Sequence, residues 1–434
     1  MSPGAPGAPA APGPLQALLR SLRHRNFRLF LSGQMVSLVG TWMQNVAQAW
    51  LVYRLTGSAL LLGVIGFLSQ FPVFLLGPVA GTVADRRARH RLVVATQTAA
   101  MLLAFALAAL TLGGRVRVWH VGVLAALGGV VSAFDIPARQ SFLVEMVGRD
   151  DLANAIALNS SMFNGARALG PALAGVLVAA FGEGWCFFLN GVSFLAVIGS
   201  LLLMRLPPRP VRVQAGSPWR DFVEGVGFAW RSAPIRALLL LVGAVSLFGA
   251  PYTTLMPVFA AGMVPGGPRT LGVLMGAVGI GALLGAVSLA MRSTVRGLGR
   301  RAARAAAALG VLLALFVATR SVWLAAPVLV GVGFTMMVHM AAVNTLLQSM
   351  VPDALRGRVM SLYTAMNMGM APFGALLAGA VAHRAGAGPA VAAGGCVCLL
   401  TALFFRSRLP ALRDEARRLL EESGEAGSGA SGSA

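Results

Sequence analysis

The stretch GPVAGTVADRRARHR, Gly77 to Arg91, decides the fold, because in it an apolar run ends in small residues, an acid and closely spaced arginines. The run before the charges, from Ser58 to Val83, is long enough to cross a bilayer, which takes roughly 20 residues. The charges from Asp85 to Arg91 therefore lie together in a tight loop at one membrane face. We predict that the rest of the chain forms spans arranged around this loop.

The composition is that of an integral membrane protein. Of 434 residues, 57% are hydrophobic and 11% charged, whereas soluble domains average about 25% charged residues. The net charge of +21 comes from 35 basic residues, all of them arginine. Most arginines lie in short loops between apolar runs, so they indicate membrane topology and not a nucleic-acid-binding surface.

The sequence shows no pattern of an enzyme, a cofactor site or a metal site. Cys186, Cys396 and Cys398 lie inside apolar runs, with neither metal-ligand spacing nor a disulfide framework. The chain has no lysine and hence no GxxxxGK[ST] phosphate loop, which argues against an ATP-driven pump on this chain.

Twelve spans are predicted, without a cleavable leader before the first. The expected domains are a disordered Pro/Ala-rich N-terminus (1–20), a six-helix bundle (21–206), a linker with an amphipathic helix (207–235), a second six-helix bundle (236–407) and a charged tail (408–434). The spans are placed near 27–53, 58–83, 92–112, 119–147, 152–181, 185–206, 236–263, 270–291, 302–319, 322–350, 356–382 and 388–405.

The arginines orient these spans. With the N-terminus inside, the outward connections carry six of them, namely Arg54, Arg115, Arg117, Arg269, Arg320 and Arg384. Arg139 and Arg167 lie within spans, and the remaining 27 lie inside. The positive-inside rule therefore predicts that both termini are cytoplasmic.

The two halves repeat each other. Met146-Val147 recurs as Met350-Val351, and at the same shift of 204 the glycines 165, 170 and 175 fall on 369, 374 and 379. Leu62-Gly63-Val64 recurs as Leu271-Gly272-Val273. Two similar six-span halves joined by a basic loop are the architecture of major facilitator transporters.

Local motifs support this resemblance. The loop GTVADRRARHR is similar to the signature of the major facilitator superfamily, Gly-x-x-x-Asp-Arg-x-Gly-Arg-x-Arg, with Ala88 in place of its glycine. The strings FDIPARQSFLVEMV and LANAIALNSSMFNGARALGPALAG resemble the bacterial exporter branch that contains the enterobactin exporter and macrolide-efflux proteins. The resemblance covers nearly all of 26–408.

The resemblance implies a cytoplasmic latch between the halves, in which Asp85 faces the start of the eleventh helix. A carboxylate there gains roughly 0.3–1 kcal/mol from the helix dipole. The alternative is that the arginines only set topology. The predicted gate residues are Gly81, Asp85, Arg86, Arg89, Arg91, Glu145, Asp353, Arg356 and Arg358.

Four ionisable residues inside spans are candidates for proton coupling or for a charge in the cavity. Asp135 and Arg139 lie one turn apart around Pro137 and can neutralise each other. Their pair either changes with transport or statically shapes the end of the fourth helix. Arg167 could bind an anionic substrate group or pair with Asp135. His339 is either a packed residue of the bundle or a proton carrier.

Polar and aromatic residues of several spans are candidates to line a central cavity. They are Gln34, Trp42, Gln44, Asn45, Gln48, Asn164, Tyr252, Asn344, Tyr363 and Asn367. Gly170, Pro171 and Gly175 are similar to the fifth-helix signature of the family's antiporters and are expected to serve close helix packing.

The sequence thus predicts an all-α secondary transporter of the bacterial inner membrane, exporting small amphipathic molecules in exchange for protons. The expected partners are membrane lipid, the substrate and protons, and the expected state is a monomer. Alternatives are an importer or lipid flippase of the same fold, or a non-transporting receptor or scaffold. Proton exchange and the monomeric state rest on the resemblance.

Overall fold

The protein is described by a computed structural model covering residues 20–148, 150–205, 218–263, 266–291 and 297–430. The predicted disordered N-terminus, apart from Arg20, and most of the linker before residue 218 lie outside this range. All regular secondary structure within it is helical. The first half contains a 3₁₀ turn Arg20–Arg23 and helices α1 Arg25–Thr56, α2 Ala59–Arg86, α3 Arg89–Leu112, α4 Val118–Val147, α5 Leu152–Phe181 and α6 Glu183–Leu202.

The linker contributes α7 Pro218–Arg231, close to the predicted amphipathic stretch. The second half consists of α8 Ala233–Ala244, a π turn Val245–Gly249, a 3₁₀ turn Ala250–Thr253, α9 Met256–Gly262, α10 Pro268–Ala290, α11 Leu298–Ala318, α12 Val322–Met350, α13 Asp353–Met368, α14 Met370–Ala385 and α15 Ala387–Ala430.

The predicted twelve-span all-α architecture is confirmed. In the described part of the chain, 11 stretches are long and apolar enough to cross a membrane. The twelfth span is α1, a 32-residue helix whose polar residues, among them Gln34, Gln44 and Gln48, lower its hydropathy. It packs along α5 and α6, and among its polar side chains Gln34 is buried and Gln44 and Gln48 are half-buried.

The seventh and eleventh spans, predicted as continuous helices, are interrupted. In the seventh, Pro251 lacks a backbone N–H and its ring would clash with the carbonyl four residues earlier in a regular α-helix. The chain between α8 and α9 therefore passes through the π and 3₁₀ turns. In the eleventh, the interruption falls at Gly369, whose missing side chain leaves room for the ring of Phe74.

Alternating spans divide the molecule into two faces. We call the face that contains the ends of α2 and α4 and the starts of α3, α5 and α13 the basic face, because Arg86, Arg89, Arg356 and Arg358 lie there. The opposite face contains the α1–α2 and α9–α10 connections.

Two glycine-to-glycine contacts join the halves near the opposite face. A Cβ atom on Gly175 of α5 would lie 2.9 Å from the Cα of Gly272 of α10. A Cβ atom on Gly63 of α2 would lie 3.0 Å from the Cα of Gly379 of α14. Gly63 and Gly272 are repeat equivalents, as are Gly175 and Gly379, so the two contacts are related by the internal repeat predicted from the sequence.

The halves are less closely joined toward the basic face. Helix α2 packs on α14, the second part of the eleventh span. Between α2 and α13, the first part of that span, the described residues make at most isolated contacts. Four phenylalanines mark the end of the close contact: Phe67 and Phe71 stack with ring centroids 4.7 Å apart, and Phe373 meets both and Phe74 edge-on.

Candidate functional site

Asp135 of α4 is the buried carboxylate around which the site is built, with a fractional exposure of 8%. Its Oδ1 accepts hydrogen bonds from the hydroxyl of Thr96 and the amide Nε2 of Gln97, both at 2.8 Å. Its Oδ2 lies 3.4 Å from a guanidinium nitrogen of Arg139. One oxygen is thus held by two short hydrogen bonds and the other by a single long ion pair. The predicted pairing of Asp135 with Arg139 is present.

Thr96 and Gln97 were not predicted from the sequence. They are adjacent in α3, and both are buried. Three consecutive polar residues, Thr96 to Thr98, in an otherwise apolar span were the available signal, because buried polar groups need partners. Asp135 lies roughly 18 Å from the basic end of α4 at 1.5 Å per residue, which places the network well inside the membrane.

Trp42 of α1 and Arg167 of α5 form a second centre. The guanidinium carbon of Arg167 lies 5.7 Å from the centroid of the Trp42 ring, and Phe163 meets the same ring edge-on with centroids 5.7 Å apart. Arg167 therefore faces aromatic groups, and its predicted alternative partner Asp135 is held by other residues.

The close approach of α1 and α5 explains the predicted packing residues. A Cβ atom on Gly170 would lie 2.5 Å from the Cβ of Trp42, so only glycine fits there. Gly170, Pro171 and Gly175 are all buried. The repeat-equivalent Gly374 of α14 packs in the same way on Leu247 and Pro251 of the interrupted seventh span.

The other predicted cavity residues divide into two groups. Gln34, Asn164, Tyr252 and Tyr363 are buried, whereas Trp42, Gln44, Gln48, Asn344 and Asn367 are half-buried and Asn45 is exposed. Several are bonded within their own half: Asn190 donates to Gln44 at 2.7 Å, Tyr363 donates to the Met340 carbonyl, and Ser246 donates to Asn367 at 3.2 Å.

His339 of α12 lies between helices of the second half. It is fully buried, and its Nδ1 is 3.2 Å from the carbonyl oxygen of Ala302 of α11. This position favours the packing alternative over the proton carrier, because no other titratable group is bonded to the ring among the described residues.

The predicted gate residues lie at the basic face, and two ion pairs involve them. Arg89 pairs with Glu145 of the same half at 3.0 Å, and Arg358 pairs with Glu224 of α7 at 2.7 Å. Arg86, Arg91 and Arg356 are exposed, and open space surrounds the position of a Cβ on Gly81. The side chains of Asp85 and Asp353 lie outside the described residues, so the latch remains a prediction. Glu224 was not predicted.

Asp151 is a further charged centre at the basic face, beyond the predicted gate residues. It occupies the N-cap position of α5, but its carboxylate makes no capping bond. It pairs instead with Arg20 at 2.7 Å, Arg23 at 2.8 Å and His24 at 2.7 Å. The hydrogen bond with His24 and the charges of Arg20 and Arg23 lower the pKa of Asp151 from its ordinary value, against the opposing effect of burial.

The sequence is similar to bacterial transporters. It is 28% identical over 371 residues to the multidrug efflux pump Tap of Mycolicibacterium fortuitum, covering 82% of this chain and 89% of that protein. It is 26% identical to the staphyloferrin A transporter of Staphylococcus aureus, covering 81% and 88%. Macrolide efflux protein A of Streptococcus pyogenes is 24% identical, covering 61% and 66%.

The fold is also found in solved structures. The nucleoside transporter NupG superposes with a TM-score of 0.71 at 12% identity, covering 88% of this chain and 98% of the other. A peptide transporter superposes with a TM-score of 0.71 at 13% identity, covering 89% and 94%. The model of the transmembrane secretion effector family matches residues 17–423. The chain therefore belongs to the transmembrane secretion effector family of major facilitator transporters.

Proposed function

We propose that the protein exports small amphipathic molecules from the bacterial cytoplasm in exchange for protons. Relatives named for multidrug, macrolide and siderophore transport support export. The positive-inside rule makes the basic face cytoplasmic, with both termini inside the cell. The protein acts as a monomer in the inner membrane, and the halves 21–206 and 236–407 rock about a central site.

One observation carries the coupling to protons, namely the asymmetric environment of Asp135. Its Oδ1 is occupied by two donors, whereas Oδ2 has only the long contact with Arg139. A proton therefore adds at Oδ2, which neutralises the carboxylate and releases Arg139 from the ion pair. Loss of the proton restores the pair.

The substrate class follows from Trp42, Phe163 and Arg167. The two aromatic rings offer flat apolar surfaces, and the cation can pair with an anionic or electron-rich group.

The structure represents the inward-facing state. In this state the glycine contacts join the halves near the opposite face, the helices are separated near the basic face, and such molecules enter from the cytoplasm.

The experiment is proton release in everted membrane vesicles, in which transport of a candidate compound dissipates an imposed pH gradient. A panel of fluorescent dyes, macrolides and siderophores should contain compounds that dissipate the gradient with the wild type. Asp135→Asn should abolish the response. The control Glu183→Gln removes a buried acid that pairs with Arg54 at the opposite face, 2.7 Å away, and should retain it. Export by Asp135→Asn that remains coupled to protons would refute the assignment.

A further inference from the structure

The exposed side of the linker helix α7 is apolar. Val223, Val226 and Trp230 have fractional exposures of 53%, 38% and 66%, and their spacing places them on one side of the helix. On the other side, Gly225 and Ala229 are buried, and α7 packs against α13. The apolar stripe is thus directed away from the protein and requires an apolar environment of its own.

This stripe continues onto a surface that faces lipid. The Arg236 side chain lies over the Trp230 ring, 5.5 Å from its centroid, and donates to the Trp230 carbonyl at 2.7 Å. Leu240, one turn beyond Arg236 in the membrane-spanning helix α8, is 57% exposed. Trp230 therefore lies at the level where a span leaves the membrane, the depth that tryptophan prefers.

The charges beside the Trp230 end of the stripe are positive, and Glu224, an acid beside its Val223 end, is paired with Arg358. Arg231, next to Trp230, is exposed, and Arg236 is half-buried against it. Cations at the edge of an apolar helix face are typical of helices that lie in a membrane surface and attract anionic lipids.

We propose that α7 lies in the headgroup region of the cytoplasmic leaflet and binds anionic phospholipid. Val223, Val226 and Trp230 enter the boundary of the acyl chains, and Arg231 contacts phosphate groups. The cytoplasmic side rests on the orientation proposed above, whereas insertion of α7 into a lipid surface is independent of any transport activity.

The contacts of α7 with α13 transmit this binding to the eleventh span. Glu224 is bonded to Arg358 near the start of α13, and a Cβ atom on Gly225 would lie 2.9 Å from the Cβ of Arg358. Close packing and an ion pair at the same point make α7 and the start of α13 move together. Anionic lipid bound to α7 therefore restrains α13.

Spin labelling of the full-length protein tests the lipid contact. Cys396, the exposed native thiol, is replaced by serine, whereas Cys186 and Cys398 are buried and are kept. A nitroxide label is then attached at position 226 of the variant Val226→Cys. In vesicles of phosphatidylcholine with phosphatidylglycerol, the label should be more accessible to oxygen than to a water-soluble nickel complex. In phosphatidylcholine alone this preference should weaken.

Other results would overturn the contact. Preference for the nickel complex in both lipid mixtures would place the stripe in water, and protection from both reagents would show that protein covers it. Equal depth in both mixtures would remove the role of anionic lipid. Arg231→Gln should lose the response to phosphatidylglycerol, whereas Arg320→Gln, an exposed arginine at the opposite face, should keep it.

A label at Ser361, an exposed position less than one turn past Arg358, tests the transmission. Phosphatidylglycerol should broaden its spectrum in the otherwise unchanged protein. Glu224→Gln should remove the broadening while the depth of the Val226 label stays the same. Unchanged broadening in Glu224→Gln would refute the link through Arg358 while leaving the lipid contact and the proposed transport intact.

Discussion

At the scale of single residues, the proposed proton site depends on hydrogen bonds that the neighbouring helix supplies. The hydroxyl of Thr96 can donate to Asp135 or to the Val93 carbonyl, each within 2.9 Å. Its donation to Asp135 is one of the two hydrogen bonds that hold Oδ1 of the carboxylate. The position of the carboxylate can therefore be tested without changing the acid itself.

Thr96→Val should lower the rate of proton-coupled transport, because it removes one of the two donors that hold Oδ1 of Asp135. A hydrogen bond to a charged group contributes about 1.5–3 kcal/mol. Initial rates of transport in vesicles measure the loss. Thr98→Val is the matched control, since the hydroxyl of Thr98 donates to the Val94 carbonyl of its own helix at 2.8 Å. An equal loss in both variants would contradict the assignment.

Asp151→Asn should release the segment that contains Arg20 and Arg23 from the start of α5. The substitution removes the charge that both arginines and His24 share, and trypsin should then cleave this segment faster. Asp150→Asn, an exposed neighbour, is the control. Cleavage at equal rates in both variants would show that the remaining hydrogen bonds, such as Ser21 to Asn154, hold the segment alone.

Acidification should have the same effect as Asp151→Asn only at low pH. Because the pKa of Asp151 is lowered from 3.8, its contribution is complete above that value and is lost as the pH falls through the lowered pKa. Trypsin is unsuitable there, so the mobility of a spin label near Arg23 is the measurement. Release at pH values well above 3.8 would contradict the sign of this shift.

At the scale of helices, the glycine contacts determine how closely the two halves can approach each other at the opposite face. Backbone meets backbone where Gly175 faces Gly272 and where Gly63 faces Gly379, so even one added methyl group would require the helices to move apart. Because the two contacts are repeat equivalents, each limits the approach of the two halves in the same way.

Gly175→Leu should therefore favour the conformation that is open at the opposite face and abolish transport. A cysteine near that face should react faster with a membrane-impermeant maleimide in the variant than in the wild type. Gly165→Leu is the control in the same helix, since a Cβ there meets nothing within 4 Å. Both lose a helix-interior glycine, so only the steric effect differs. Unchanged maleimide reactivity in Gly175→Leu would show that the Gly175–Gly272 contact does not hold the opposite face closed.

The comparison of sequence and structure also belongs at this scale. Apolar run lengths predicted the spans, and the glycine repeat predicted that the two halves are equivalent, but not that glycines 63, 175, 272 and 379 form the contacts between them. Asp135 and Arg139 were predictable as a pair because one helical turn separates them. Thr96, Gln97 and Glu224 were not, because the rotation of one helix against another is decided by packing over its whole length. The interruption at Pro251 was visible in the sequence but was not predicted.

At the scale of the whole molecule, the proposed exchange of substrate for protons predicts that export depends on the proton gradient and not on ATP. Cells that express the protein should accumulate less of a transported dye than cells without it, and an uncoupler should abolish the difference. Cellular ATP must be monitored as the control, because uncouplers also lower it. Export that persists after uncoupling would refute proton exchange.

The polarity of α1 has a consequence for the synthesis of the protein. With its buried and half-buried amides, α1 partitions weakly into lipid by itself, and Gln44 finds its partner Asn190 only 146 residues later in the chain. At about 5–20 residues per second that partner is made roughly 7 to 30 seconds after Gln44. The insertion machinery must therefore shelter the first helix until the sixth emerges, and the first half enters the membrane as a unit.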